Sequence, residues 1–286
     1  MSAREFTVAL FGSLCFVSSA PAQNALAWKF ETGLVFQAER TATQKETVEL
    51  TGKVFTQQRR SVWHVRLDVK DKRADHFVVV ATLTKVEQQL TGEAEKLDAK
   101  LSEKMQGSVF SLQVTPQGRI IQLRGYEDFL KRLAGHDKAQ LKALRTTFSE
   151  ESLKDALADL FGPLPDKEKS WQREYVEPIP HFGALRSTAK YEHVGTEQGR
   201  DVIDYTIQTR YEIPKADRAG LFRIVKGTIS ADQARGSITF DKAAGFLVEH
   251  ERTMLLRGTL TIETMDRQQP IEFRSENAVR IRMRKQ

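Results

Sequence analysis

The sequence predicts an α+β fold that is mostly antiparallel β: a strongly curved sheet or half-barrel of about ten strands, with a helical layer supplied by the middle of the chain. Three observations predict it. Segments on both sides of the middle alternate apolar and polar residues with a period of two, as strands with one buried and one wet face do. The middle, at about 126–162, changes to a helical period. Each of these elements has a single apolar face, and two half-sheets wrapping one helical layer would bury all of them together.

Taken in chain order, residues 1–22 read as a secretory signal peptide. Arg4 gives a positive start, Phe6 to Ser18 is an apolar run of about 13 residues, and Ala20-Pro21-Ala22 supplies small residues for cleavage. Leu14 before Cys15 lacks the small residue that lipid attachment needs, and no other stretch approaches the roughly 20 apolar residues of a membrane-spanning helix. The expected mature chain, 23–286, is therefore a single exported β-rich domain in the periplasm or outside the cell.

Ser61 to Lys70 is the cleanest strand, with Trp63, Val65, Leu67 and Val69 on one face and His64, Arg66, Asp68 and Lys70 on the other. Thr91 to Gln106 is dense in Glu and Lys and fits a weak surface helix or a loop. Phe110, Leu112 and Val114, the turn Pro116-Gln117-Gly118, and Ile120, Ile121 and Leu123 read as a hairpin. Tyr126, Phe129, Leu130 and Leu133 then fall at i, i+3, i+4 and i+7 with Gly135 past the end; a second helix lies around Leu141 and Leu144. The third starts at a Ser149 cap with Glu150 and Glu151 in its first turn, and carries Leu153, Ala156, Leu157, Leu160 and Phe161.

Residues 162–167 and 177–183 are rich in Pro and Gly and read as linkers. Beyond them Ile203, Tyr205, Ile207 and Tyr211 alternate with polar residues, and two strands flank a loop, 241–245, whose Gly245 suits a positive φ. At the C-terminus Arg280, Arg282 and Arg284 alternate with Val279, Ile281 and Met283. The simplest account is a terminal or edge strand guarded by charge; the sharper one is a cationic stripe for an anionic surface or an envelope partner.

Composition excludes several classes of function. The only cysteine lies in the leader, so the mature chain has no thiol for a disulfide or a nucleophile. Lys and Arg total 44 against 38 Asp and Glu, a modest +6 interleaved in sign, without the clustered basic module of a nucleic-acid binder. Phosphate-binding glycine loops, metal-protease and serine-hydrolase motifs are absent, and the six histidines show no metal-ligand spacing. His250 is read on one strand face with Val248 and Arg252, solvated or hydrogen-bonded. Glu249 and Glu251, about 7 Å apart on another face, read as salt-bridged to nearby arginines rather than as a catalytic pair. No cofactor is called for.

Ala27-Trp28-Lys29-Phe30-Glu31-Thr32-Gly33 resembles the opening of a family of exported bacterial proteins of unknown function that is abundant in planctomycetes. Val114 to Gly118, Leu164-Pro165 followed by Ser170-Trp171, and Phe240-Asp241 with Gly245 add to the likeness, while Lys169 stands where that family has Gly-Asp. The implied architecture is similar to periplasmic lipoprotein carriers. The resulting expectation is a non-catalytic envelope protein that binds a lipid or other hydrophobic ligand between sheet and helices, with Tyr126, Phe129, Leu133, Leu153, Leu157 and Phe161 as an apolar lid. The alternative is a structural or protein-interaction module of the cell envelope, using an edge strand or the Arg280–Arg284 stripe.

Overall fold

The computed structural model describes residues 26–91, 95–165, 170–179, 183–213, 223–264 and 267–286; the predicted leader lies outside them. The elements are β1 (Val35–Leu50), β2 (Lys53–Lys72), β3 (Phe77–Leu90), α1 (Glu95–Met105), β4 (Val109–Val114), β5 (Ile120–Arg124), α2 (Tyr126–Ala134), α3 (Lys138–Thr147), α4 (Glu150–Ala158), β6 (Ser170–Ile179), β7 (Gly183–Glu197), β8 (Arg200–Glu212), β9 (Arg223–Asp241), β10 (Phe246–Thr264) and β11 (Arg267–Lys285).

The strands form one open antiparallel sheet of eleven, ordered β5-β4-β3-β2-β1-β11-β10-β9-β8-β7-β6. Two antiparallel meanders, one before and one after α2–α4, the first interrupted by α1 between β3 and β4, are joined edge to edge by the long β1·β11 ladder from Phe36↔Lys285 to Leu50↔Ile271. That pairing corrects two expectations. The C-terminal strand is the centre of the sheet and not an edge. Its arginines face outward because Val279, Ile281 and Met283 are buried inward. Of the proline-rich stretch read as a linker at 177–183, Glu177, Pro178 and Ile179 belong to β6 and pair with Leu185, Ala184 and Gly183 of β7, while 180–182 lie outside the described residues. The Glu- and Lys-rich segment is helical as α1, anchored by fully buried Met105.

The helices lie on the inner face. α2 buries Phe129, Leu130, Leu133 and Ala134, and ends where Gly135 takes a φ of 62°. Asp137 caps α3 by accepting from the backbone N–H groups of Ala139 and Gln140, and Ser149 caps α4 by accepting from that of Ser152. α4 turns in Leu153 and Leu157. The segment from Leu26 to Phe30 runs through the centre of this core. Trp28 Nε1 donates to the Phe161 carbonyl at 2.8 Å, and Phe30 packs its ring on Trp28, Phe36 and Phe77 at 4.7–5.3 Å. Burying each such ring contributes about 1.5–3 kcal/mol. Gly245, at φ 71°, lies so close to the Lys29 side chain that no Cβ would fit there.

A second core fills the opposite end of the long strands. Ile179 of β6 and Leu185 of β7 join Leu256 and Leu260 of β10 and Ile271 and Phe273 of β11 in one cluster, although several strands separate them in sheet order. The sheet must curl for these to meet. It does so where the β8·β9 ladder stops, since pairing runs only from Asp201↔Phe240 to Thr206↔Arg235. Among the described residues no helix is long and apolar enough to cross a membrane.

Candidate functional site

Between the two cores the inner face turns polar. Along β1 the inward positions read Phe36, Ala38, then Arg40, Ala42, Gln44 and Glu46, then Val48 and Leu50. The neighbouring strands set apolar and polar partners beside these rungs. Arg40 faces Ile281 and Trp63, Ala42 faces Val279 and Ser61, Gln44 faces Asn277 and Arg59, and on β10 His250 and Arg252 stand opposite Ile281 and Val279. Charged and small side chains cannot fill the space that leucines and phenylalanines fill elsewhere, and a cleft of about 450 Å³ remains.

The cleft has three walls. The end of α4 gives Ala156, Ala158 and Asp159; β6 gives Arg173, Tyr175 and Val176; the floor carries Tyr191, Tyr205, His250, Arg252 and Arg40. Tyr191 is stacked on Trp171 at 5.3 Å with an interplanar angle of 11°, and packs on Tyr205 at 4.7 Å. Burial pushes the phenols of Tyr191 and Tyr205 up, so both stay protonated at any ordinary pH.

One residue pins α4 to the floor. The Asp159 carboxylate meets Arg40 Nη2 at 3.3 Å, with the two side chains 19% and 11% exposed. Burial alone would raise its pKa, but the charges of Arg252 and Arg40 outweigh that and hold it below 3.8. The Asp159 carbonyl, at the end of the helix, accepts from His250 Nδ1 at 3.3 Å. A carbonyl only accepts, so Nδ1 carries the proton, and Nε2 of the neutral ring accepts from the Tyr205 hydroxyl at 2.7 Å. Burial lowers the imidazole below 6.5 and keeps it neutral. Arg40 also lies over the Trp63 ring, 5.3 Å from its centroid. With both ring nitrogens of His250 engaged and the Tyr205 hydroxyl committed to it, the constellation is a brace across β1, β8, β10 and α4.

A smaller pocket of about 210 Å³ continues the cleft along the same face and shares Arg40 and Arg252 with it. Among the described residues no three His, Cys, Asp or Glu side chains gather as a metal site.

The six residues expected as a lid meet in the main core rather than around the cleft. Phe129, Leu133, Leu153, Leu157 and Phe161 are at most 4% exposed, and half-buried Tyr126 donates to the Phe148 carbonyl at 2.7 Å. None of the six lines the cleft. Arg280 and Arg282 lie on the outer face and pair with carboxylates of β10: Arg280 Nη2 to Glu249 at 2.6 Å, Arg280 Nε to Glu251 at 3.0 Å and Arg282 Nε to Glu249 at 3.0 Å. Arg284 is exposed at the end of the row, across from Gln37. The expected salt-bridging of Glu249 and Glu251 is present, with these arginines as partners. His250 is hydrogen-bonded and buried, which removes the solvated alternative. A bulge between Leu247 and Glu249 takes Val248 out of register with it.

The cleft itself was missed in the sequence. Its signal was Arg40, a charge at an inward position of an alternating strand, together with Tyr205 inside the series Ile203, Tyr205, Ile207.

No family model matches the chain, and no curated protein matches it in sequence. Among solved structures the chain is similar to one described as lipid-protein interactions in lipovitellin, at 10% identity and a TM-score of 0.44 over 90% of this chain; it spans about a quarter (26%) of that one. It is more distantly similar to an outer membrane channel from Pseudomonas putida F1 (9% identity, 90% of this chain and 98% of that one, TM-score 0.21). A DUF1329 family protein from Desulfovibrio piger follows (12% identity, 89% and 86%, TM-score 0.13). Scores this low carry no functional weight.

Proposed function

We propose that the chain is a non-catalytic exported envelope protein that holds a lipid or other hydrophobic molecule in the cleft between the sheet and the end of α4. The observation that carries this is the lining: Tyr175, Val176, Tyr191, Tyr205, Ala156 and Ala158 present an aromatic and apolar surface ringed by the charged groups of Arg40, Asp155, Asp159, Arg173, Glu174 and Arg252. At about 450 Å³ the cleft falls inside the range of about 300–1,000 Å³ that small-molecule sites occupy. Helix displacement plays no part in this reading, because α4 is held by buried Leu153 and Leu157 and by the Asp159 brace. Native mass spectrometry with organic extraction of the full chain, expressed with its leader and purified without detergent, tests it. A stoichiometric co-purified or added lipid is expected; a bare mass that persists after challenge with lipid overturns it.

A second reading, an envelope interaction module, draws on β2. Its Lys53–Gln57 stretch pairs with β1 alone among the described residues, and Val54 and Phe55 there are 61% and 58% exposed. Retention of an envelope protein, lost on Phe55→Asp, would favour it over the cleft.

A further inference from the structure

We infer that the smaller pocket beside the cleft binds the anionic head, a carboxylate or phosphate, of a single-chain amphipath whose apolar part lies against Tyr191 and Tyr205. This rests on the cleft reading and gives that ligand a chemistry and an orientation.

The pocket is built on three successive rungs of the inner face. Its floor is the middle rung, where Val279, Ala42 and Ser61 lie side by side on β11, β1 and β2. These are small side chains, so the floor is low. Arg252 ends the same rung on β10, while Arg40 and Arg59 stand on the rungs before and after it. Rungs are about 7 Å apart and strands about 4.8 Å apart, so long arginine side chains at these corners reach over a common floor. Gln44 and Asn277 add amides at the rim. Among the described residues lining the pocket there are three guanidiniums and no carboxylate.

Two neighbouring carboxylates, Asp159 and Glu46, offset this charge only in part. Asp159 engages one nitrogen of Arg40 from the cleft side and its charge also acts on Arg252, while Arg40 Nε is buried with no hydrogen-bond partner. Glu46 is near enough to feel Arg59, yet its Oε1 accepts from Gln44 Nε2 at 2.8 Å, and no ion pair to Arg59 lies within 4 Å among the described residues. A guanidinium presents a flat fork of donors that matches a carboxylate or phosphate, which an alcohol or an amide head cannot satisfy equally. Because Arg40 and Arg252 line both cavities, a head placed here continues directly into the aromatic cleft. The cleft lies in the lower half of the usual size range, which suits one acyl chain rather than two.

The test compares ligands that share a chain and differ in the head. Binding to the full chain is measured for oleate, 1-oleoyl lysophosphatidate and oleyl alcohol, each below its aggregation concentration, and for inorganic phosphate alone. Oleate and the lysophosphatidate are expected to bind, with the alcohol about tenfold weaker, the loss of one charge-assisted hydrogen bond. Arg59 is exposed, so Arg59→Gln leaves folding intact; it is expected to bring oleate to the affinity of the alcohol, with Arg59→Lys recovering part of the difference. Equal affinity for oleate and the alcohol, or no change with Arg59→Gln, overturns the head site while leaving the cleft reading standing. Inorganic phosphate binding as tightly as the lysophosphatidate makes this a free-anion site and also overturns the inference. Failure of every chain-bearing ligand sinks the cleft reading itself.

Discussion

Leu157 and Asp159 stand two residues apart at the end of one helix and belong to opposite kinds of environment. Leu157 is fully buried in the main core with Phe129, Leu133 and Phe161. Asp159 is an ionised cap held by Arg40 over a cleft. The same division runs along β1, whose inward residues are apolar at Phe36 and Ala38, polar from Arg40 to Glu46, and apolar again at Val48 and Leu50. The sheet is continuous across all three stretches. What differs is whether the inward side chains can fill space without water, so a short run of polar residues in inward phase opens a cavity that helices on the same sheet otherwise close.

Substitutions can break either half of this comparison. The largest effect is expected on the dry side: Phe129→Ala should cost about 3–5 kcal/mol of unfolding free energy by urea denaturation, since it empties a well-packed site. Ligand uptake by the molecules still folded should be unchanged. Asp159→Asn comes next, at about 2 kcal/mol, because it leaves Arg40 facing an uncharged partner in a half-buried place. Here uptake should fall as well, since the end of α4 forms one wall of the cleft.

Acid sharpens the contrast without mutation. His250 titrates below 6.5 when folded, so between that folded value and 6.5 the unfolded chain binds the extra proton; stability should be level above about pH 7 and decline as pH falls below 6.5. Asp159 is held below 3.8, so the stability it contributes is present above that value and is lost as pH falls through the lower folded one. Denaturation midpoints measured across this range for the wild type and His250→Gln should differ in the first decline and share the second. The smallest effect is expected outside, where Arg282→Ala on the solvated outer face should leave the midpoint unresolved from that of the wild type.

Period-two alternation was enough to place β2, the β4–β5 hairpin, β8 and the β9–β10 hairpin, and helical spacing with a cap at Ser149 placed α2 and α4. These signals are local, and each was legible in the sequence. The position of β11 was not, because pairing between the first and last strands depends on contacts 200 and more residues apart, which no local pattern carries. The apolar stripes of α2 and α4 were legible as buried surface, but a stripe looks the same whether it meets a ligand or a phenylalanine. The cleft was visible only as polar groups in inward phase, at Arg40, Tyr205 and Arg252, and a bulge beside Leu247 blurred that phase on β10.

The central claim is that a hydrophobic ligand sits at the end of α4 and not beneath the helices. Photo-crosslinking tests it without altering the protein: a fatty acid with a diazirine in its chain is bound to the full chain, irradiated, and the labelled residues are read by peptide mass spectrometry. Saturable labelling at Ala156, Tyr175, Val176 or Tyr191 is the expected result. Labelling at Phe129, Leu133 or Leu153, or no saturable labelling at all, would contradict the account.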